Sequence, residues 1–284
     1  ETGVEYFCVD QSAMHGADSF DNLEPVVTPA GPTAVPIDWL TVERVWHADG
    51  YPAAGAYRST FKRSIHSLMA WKNDGGAWVE AAARAQAHAH AAAFVRDVAA
   101  RLEVYADERG RRGLCVFAID TELLGHWWYE GPWWLEAVLD QAAGAGIELV
   151  TLGEGVARRE PVKRPLATSS WGESKDLSTW DKPVGAGYAW QARAAELELF
   201  DLLGHSPADG PAAQRAAREL LALQSSDWAF IANRETAGEY ASDRFAGHLA
   251  AFERAISAVR GAAMRQSAPP TVAQLAPDLA IPPL

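Results

Sequence analysis

Asp120 and Glu122 stand two residues apart at the end of the apolar run Leu114-Cys-Val-Phe-Ala-Ile119, and Gly125, His126 and four tryptophans (127, 128, 133 and 134) follow. Carboxylates can donate and accept a proton at a glycosidic bond, and flat aromatic rings stack on the apolar faces of sugars. An Asp after a strand often does no more than cap the next helix. The density of tryptophan after this one favours sugar chemistry instead. In extended chain the side chains of Asp120 and Glu122 point to the same side about 6.5 Å apart. Spacing alone therefore leaves Glu122 open as a partner for Asp120.

Other residues have the same chemical character. Trp171 and Trp180 lie nine residues apart in the polar, glycine-containing stretch 168–187, where helix or strand burial does not account for them. Loop aromatics of this kind stack on sugars or wedge a linker against its neighbour. In Gln224-Ser-Ser-Asp-Trp228, Asp227 can cap a turn and also reach a substrate hydroxyl. His126, just past a glycine at the end of the candidate catalytic strand, reads as a site residue or as a satisfied structural histidine. His88 and His90 are two apart on a helix and cannot chelate one ion. With no Cys pair and no His-x₃-His, no metal is expected, and no cofactor.

These side chains need a scaffold. Val4–Asp10 reads as a first strand, 24–36 as a long Pro/Gly-rich loop without a core face, and 46–57 as a second loop. A helix is predicted over about 77–105 with Phe94, Val95, Val98 and Leu102 inward, then a buried strand at 114–119, a helix over 134–145 and a strand at 147–151. Strand, helix, strand implies a parallel sheet. In α/β barrels the C-terminal strand ends face the active site, which is where Asp120 falls. Three or four strands cannot close a barrel by themselves. Beyond a basic linker at 158–165, helices are predicted at about 188–204, 211–223 and 237–262, with an extended Pro-rich tail over 267–284.

The chain has 284 residues and a net charge of −12, which argues against nucleic acid or an anionic membrane surface as partner and suits a neutral polymer. No stretch approaches the roughly 18 apolar residues of a membrane span, and no signal-peptide pattern opens the chain. Cys8 and Cys115 sit in apolar runs and are expected as buried, reduced thiols, which favours a cytoplasmic protein. The first residue is Glu and a strand follows almost at once, as in a chain that begins mid-domain.

The segment Asp120-Thr-Glu-Leu-Leu-Gly-His-Trp-Trp-Tyr-Glu-Gly-Pro132 resembles the fourth signature of glycoside hydrolase family 57, specifically its α-1,4-glucan branching enzymes. The likeness continues through 24–29, Val45-Trp46, Gly50-Tyr-Pro52, 169–173 and 224–228, nearly the whole chain. The resemblance implies an α/β protein: a partial (β/α)₇ barrel over 1–160, an α-helical C-terminal domain over 161–266 and the tail. It implies Asp120 as general acid/base, with Trp46, Trp171, Trp180 and Asp227 lining glucan subsites and His126 and Trp127 near the scissile bond. The family's nucleophile is a Glu in a signature preceding the strand that matches Val4–Asp10, and this chain has no such motif. The missing N-terminal half of the barrel is therefore expected as a partner, cut off or on another chain. Glu122 is read as a supporting acid. The loop 51–57 also lacks the Gly-Asp that usually follows the Pro. The expected function is a retaining glucanotransferase that forms α-1,6 branches in glycogen-like glucans. The alternatives are a family 57 amylase or 4-α-glucanotransferase, and a non-catalytic glucan-binding protein.

Overall fold

A computed structural model describes residues 3–204, 210–235 and 237–260; the tail at 267–284 lies outside the described residues. The architecture is mixed α/β and mostly helical, with one three-stranded sheet, and the chain divides into two compact units, Glu1–Ser170 and Trp171–Leu284.

In the first unit β1 (Tyr6–Val9) is followed by a single helical turn, α1 (Ser12–His15), then by β2 (Val26–Val27) and β3 (Thr33–Pro36). The sheet order is β1-β3-β2. β1 runs parallel to β3 with Cys8 opposite Val35, and β2 runs antiparallel with Val26 opposite Ala34. The stretch 24–36 is thus not a coreless loop, since Val26, Ala34 and Val35 are buried. Its Pro and Gly residues are concentrated in a tight turn in which Gly31 takes φ +108° and Thr28 donates to the Pro32 carbonyl through both N–H and Oγ1. The density of breakers in one short window conceals the valines on either side.

α2 (Trp39–Trp46) leads through an irregular stretch to α3 (Glu80–Arg109). Ala83, Ala87, Ala91, Phe94, Val95 and Val98 of α3 are buried at helical spacing, and Gly110 in the left-handed region ends the helix. α4 (Gly131–Ala142) packs on α3, with Trp134 and Ala137 in the shared core, and α5 (Leu152–Ala157) opens on a capping box between Thr151 and Glu154.

The runs 114–119 and 147–151 are not strands. The first is extended, and the Leu114 N–H donates to the Leu23 carbonyl while the Val116 carbonyl accepts from the Asp38 N–H. No ladder runs along either segment among the described residues. Nor are they buried throughout: most of the first is half-buried and Leu149 is exposed. Apolar composition favours an extended chain, but a strand also needs a neighbour to complete its hydrogen bonds. β1 is likewise a sheet edge with an exposed face, so Cys8 is exposed, contrary to the burial its apolar run implies. Cys115 is partly buried with its Sγ donating to Asp38, and burial and then that carboxylate push its thiol well up. Both cysteines are free.

Two buried ion clusters tie the sheet to α3. Asp38 pairs with Arg101 at 2.9 Å, and Glu24 takes the Tyr105 hydroxyl together with Arg111 and Arg164. Removing one partner from such a pair costs about 3–5 kcal/mol. The basic stretch 158–165 is stitched to this unit. Arg159 donates to the Gly113 carbonyl, and Val162 exchanges backbone hydrogen bonds with Pro25 and Val27.

The second unit holds α6 (Pro183–Leu203), α7 (Pro211–Leu223), α8 (Asp227–Arg234) and α9 (Tyr240–Val259) around a core that includes Leu199, Leu220, Leu223, Phe245 and Phe252. α8 was not legible as a separate helix, being only eight residues long and closed by Glu235 at φ +53°. α6 starts five residues before its expected position. The glycines that disguise its first turn include Gly185, where a Cβ would run into the Trp180 carbonyl. Inside this unit Glu219 is buried between Arg215 and His248, at 2.6 and 2.8 Å.

Candidate functional site

The extended chain 114–120 ends in a 3₁₀ turn, Thr121–Leu123, and Asp120 occupies the position before it. Its side chain makes no capping bond to that turn, although the Asp120 carbonyl accepts from the Leu123 N–H at 3.1 Å. Simple capping thus does not account for the residue. Asp120 is half-buried and Glu122 exposed.

Residues 121–131 then fold into a knot whose hydrogen bonds decide which tryptophan faces which way. The Trp128 N–H donates to the Leu123 carbonyl, the Gly125 N–H returns to Trp128, and the His126 and Trp127 N–H groups both reach the Glu122 carbonyl. Gly125 sits at φ +97°, a conformation open to glycine at low cost. Trp128 (1% exposed) and Trp134 (0%) therefore go into the core against Tyr57 and Phe94, while Trp127 (48%) faces out. Trp133 is half-buried, with the Arg84 guanidinium 3.7 Å from its ring centroid. Of the four tryptophans that suggested a sugar wall, two are core residues. His126 is exposed and edge-on to Trp127, with ring centroids 4.8 Å apart.

Trp46, the last residue of α2 and 42% exposed, faces the same cleft as Trp127, a volume of about 460 Å3. Leu123 lines it too, and Arg58, Thr60, Phe61 and Asn73 are among the other residues that line it. Those four residues were not recognised from sequence, and the one signal available was Phe61, an aromatic in a polar stretch. His126 and Asp120 do not line the cleft. Behind it, His90 contacts the Tyr57 hydroxyl at 2.9 Å and stacks on Tyr51. Burial holds this imidazole below its ordinary value and keeps the Tyr57 phenol protonated.

In the second unit Trp171 and Trp180 are both half-buried. Trp180 lies over Gly172, where a Cβ would come within 2.9 Å of its ring, and its Nε1–H donates to the Ser226 carbonyl at 3.2 Å. It therefore packs as well as presenting a ring edge. Lys175 sits 5.5 Å from the centre of the Trp171 ring. Asp227 is exposed in the first turn of α8, accepting from the Ser225 hydroxyl at 2.6 Å. The Ser226 link thus brings Trp180 and Asp227 into one neighbourhood. Among the described residues no cluster of three or more His, Cys, Asp or Glu could hold a metal, and no helix is long and apolar enough to cross a membrane.

Comparison with known proteins gives these features a context. Residues 193–276 match the family described as 1,4-alpha-glucan branching enzyme, C-terminal. A Mycobacterium tuberculosis protein named as a probable 1,4-alpha-glucan branching enzyme is 33% identical, the match covering 94% of this chain and 54% of that protein. The crystal structure of a GH57-type branching enzyme from Pyrococcus horikoshii superposes with a TM-score of 0.81 at 28% identity, covering 91% of this chain and 51% of that one. An alpha-amylase from Thermotoga maritima superposes at 0.70 with 25% identity, over 91% and 55% of the two chains. The fold is that of the GH57 enzyme structures on which it superposes. The chain is similar to the C-terminal part of family 57 branching enzymes and spans about half the length of the curated relatives it matches.

Proposed function

We propose that this chain is the C-terminal part of an α-1,4-glucan branching enzyme acting in the synthesis of glycogen-like glucans. The observation that carries this reading is the pair of outward tryptophans, 46 and 127, on one open cleft beside the turn that Asp120 introduces. Trp171, Trp180 and Asp227 serve as further glucan contacts. The first unit is the C-terminal share of a (β/α)₇ barrel and α6–α9 form the attached helical domain. Edge strand β1 exposes an aromatic side chain on each of its faces, Tyr6 and Phe7, which supports a further part of the barrel lying against it. Two free thiols, one of them exposed, suit a reducing cytoplasm.

Retention of the α-configuration requires two carboxylates about 5–5.5 Å apart. Asp120 is the general acid/base. It protonates the leaving glycosidic oxygen as a nucleophilic carboxylate, from the preceding half of the barrel, forms the glycosyl ester. It then takes the proton of an incoming glucan 6-hydroxyl as that oxygen displaces the carboxylate. His126 and Trp127 flank the bond being exchanged, and Glu122, exposed in its turn, plays a supporting part.

The test is to incubate the chain with amylose, alone and with a separately expressed N-terminal half of a family 57 branching enzyme, and count new α-1,6 linkages by proton NMR. Branching only in the mixture, reduced about 10²–10⁴-fold by Asp120→Asn with glucan binding kept, is the expected result. Branching by the chain alone would make an internal carboxylate the nucleophile. The similarity to an amylase favours a second reading, in which water is the acceptor; reducing ends would then accumulate without α-1,6 linkages.

A further inference from the structure

Glu130, the residue before α4, has no role in the chemistry above, yet it is 0% exposed. Its Oε1 accepts the backbone N–H of Arg58 at 2.9 Å and the Nε1–H of Trp78 at 2.7 Å, while its Oε2 is buried without a hydrogen-bond partner. A buried carboxylate oxygen left unsatisfied is costly, and such a group calls for an explanation. The two bonds it does make clasp both ends of the irregular segment 58–78. Between those ends the segment is open to solvent, with Phe61 86% exposed and Ile65 94%. Turn bonds and isolated bridges such as Arg58 with Lys72 hold it internally, and Asn73 ties its middle to the carbonyls of Tyr57, Pro52 and Ala54. Glu130 thus fixes the two ends that Asn73 does not. Next to the clasp, the Arg58 guanidinium lies 4.5 Å from the centre of the Tyr129 ring, and the Thr60 hydroxyl donates to the Trp127 carbonyl at 2.7 Å. Glu130, Arg58, Thr60 and Trp127 thus form one connected path from the core to the wall of the cleft.

We propose that Glu130 is a positioning residue: by anchoring segment 58–78 at Arg58 and Trp78 it sets the gap between Arg58, Thr60 and Phe61 on one wall and Trp127 on the other, and so how tightly the cleft grips a glucan chain. The grip rests on reading the cleft as a glucan site; the anchoring does not. A carboxyl group suits the task because a single oxygen with two lone pairs can accept both N–H groups at once.

The experiment uses the whole 284-residue chain, with hydrogen exchange followed by mass spectrometry on peptides from 58–78 and 121–131 and maltoheptaose binding by calorimetry. Glu130→Leu removes both accepted bonds; exchange in the two peptides should rise while α6–α9 peptides stay unchanged, and maltoheptaose affinity should fall about tenfold, the scale of a lost buried hydrogen bond. Glu130→Gln keeps an acceptor at Oε1 and should restore protection and most of the affinity. Thr60→Val cuts only the link to Trp127 and leaves the core untouched; it should weaken binding by about threefold, as for a neutral hydrogen bond, and this variant decides the matter if Glu130→Leu does not fold. Unchanged exchange in Glu130→Leu would overturn the anchoring role. Raised exchange with unchanged affinity, or normal affinity in Thr60→Val, would overturn the link to the cleft. Raised exchange in a chain whose wild type binds no maltoheptaose would leave the anchoring standing and overturn the glucan reading.

Discussion

The two units reach their folds by different means. In the second, α6–α9 bond their own backbones turn by turn and meet through a core of small and apolar side chains that includes a buried polar group, Arg215–Glu219–His248. In the first, much of the chain is irregular and its polar groups find distant partners: Asp38 with Arg101, Glu24 with Arg164, Glu130 with Arg58. A helix carries its own hydrogen bonds with it, whereas an extended chain depends on whatever lies beside it. The first unit should therefore be the one that cannot stand by itself.

The most severe way to break that contrast is to express the two units apart. Residues 171–284 should give helical circular dichroism and a cooperative melt, and residues 1–170 should aggregate or bind a hydrophobic dye without one. A cooperative melt from 1–170 would show that its long-range polar contacts suffice. Within the first unit, Trp134→Ala should cost about 3–5 kcal/mol by urea unfolding of the whole chain, as a fully buried aromatic. Trp127→Ala, facing out of the same knot, should stay within about 0.5 kcal/mol. Equal losses would mean that the knot does not sort its tryptophans. In the second unit, Trp171→Ala should lower maltooligosaccharide affinity by about 1–2 kcal/mol with little change in melting temperature. Trp180→Ala should lower the melting temperature as well, because Trp180 also covers Gly172 and donates to Ser226. The smallest effect concerns pH. Burial holds His90 below the ordinary imidazole range, so below about pH 6.5 the unfolded chain takes up a proton that the folded one resists. Stability is then complete above that pH and declines as pH falls through it. The shift in urea midpoint between pH 7.5 and 5.5 should be smaller in His90→Gln than in the parent.

How far the sequence could be read follows the same divide. Helices α3, α7 and α9 were legible because Phe94, Val95 and Val98, or Leu220 and Leu223, recur on one face regardless of what packs there. The runs at 114–119 and 147–151 have the composition of strands, but composition cannot supply the neighbour that would make them so. At the candidate site, tryptophan density draws attention to the segment 127–134. It could not distinguish Trp127 from Trp128, because the choice is made by backbone hydrogen bonds around Gly125 and not by residue type. Arg58 and Thr60 were invisible for a related reason: only a contact across about 70 residues, to Glu130 and Trp127, gives them a place.

Burial raises both thiols, but Cys8 lies exposed on the open edge of the sheet, while Cys115 is tucked against Asp38 with its thiol pushed much further up. The molecule therefore carries a natural labelling contrast. A maleimide dye at mildly alkaline pH should attach at Cys8 and leave Cys115 unmodified until denaturant is added. A fluorophore at Cys8 would sit where any chain that pairs with β1 must pass. Quenching or protection of that single label offers a direct readout, free of enzymology, of what docks there and how firmly.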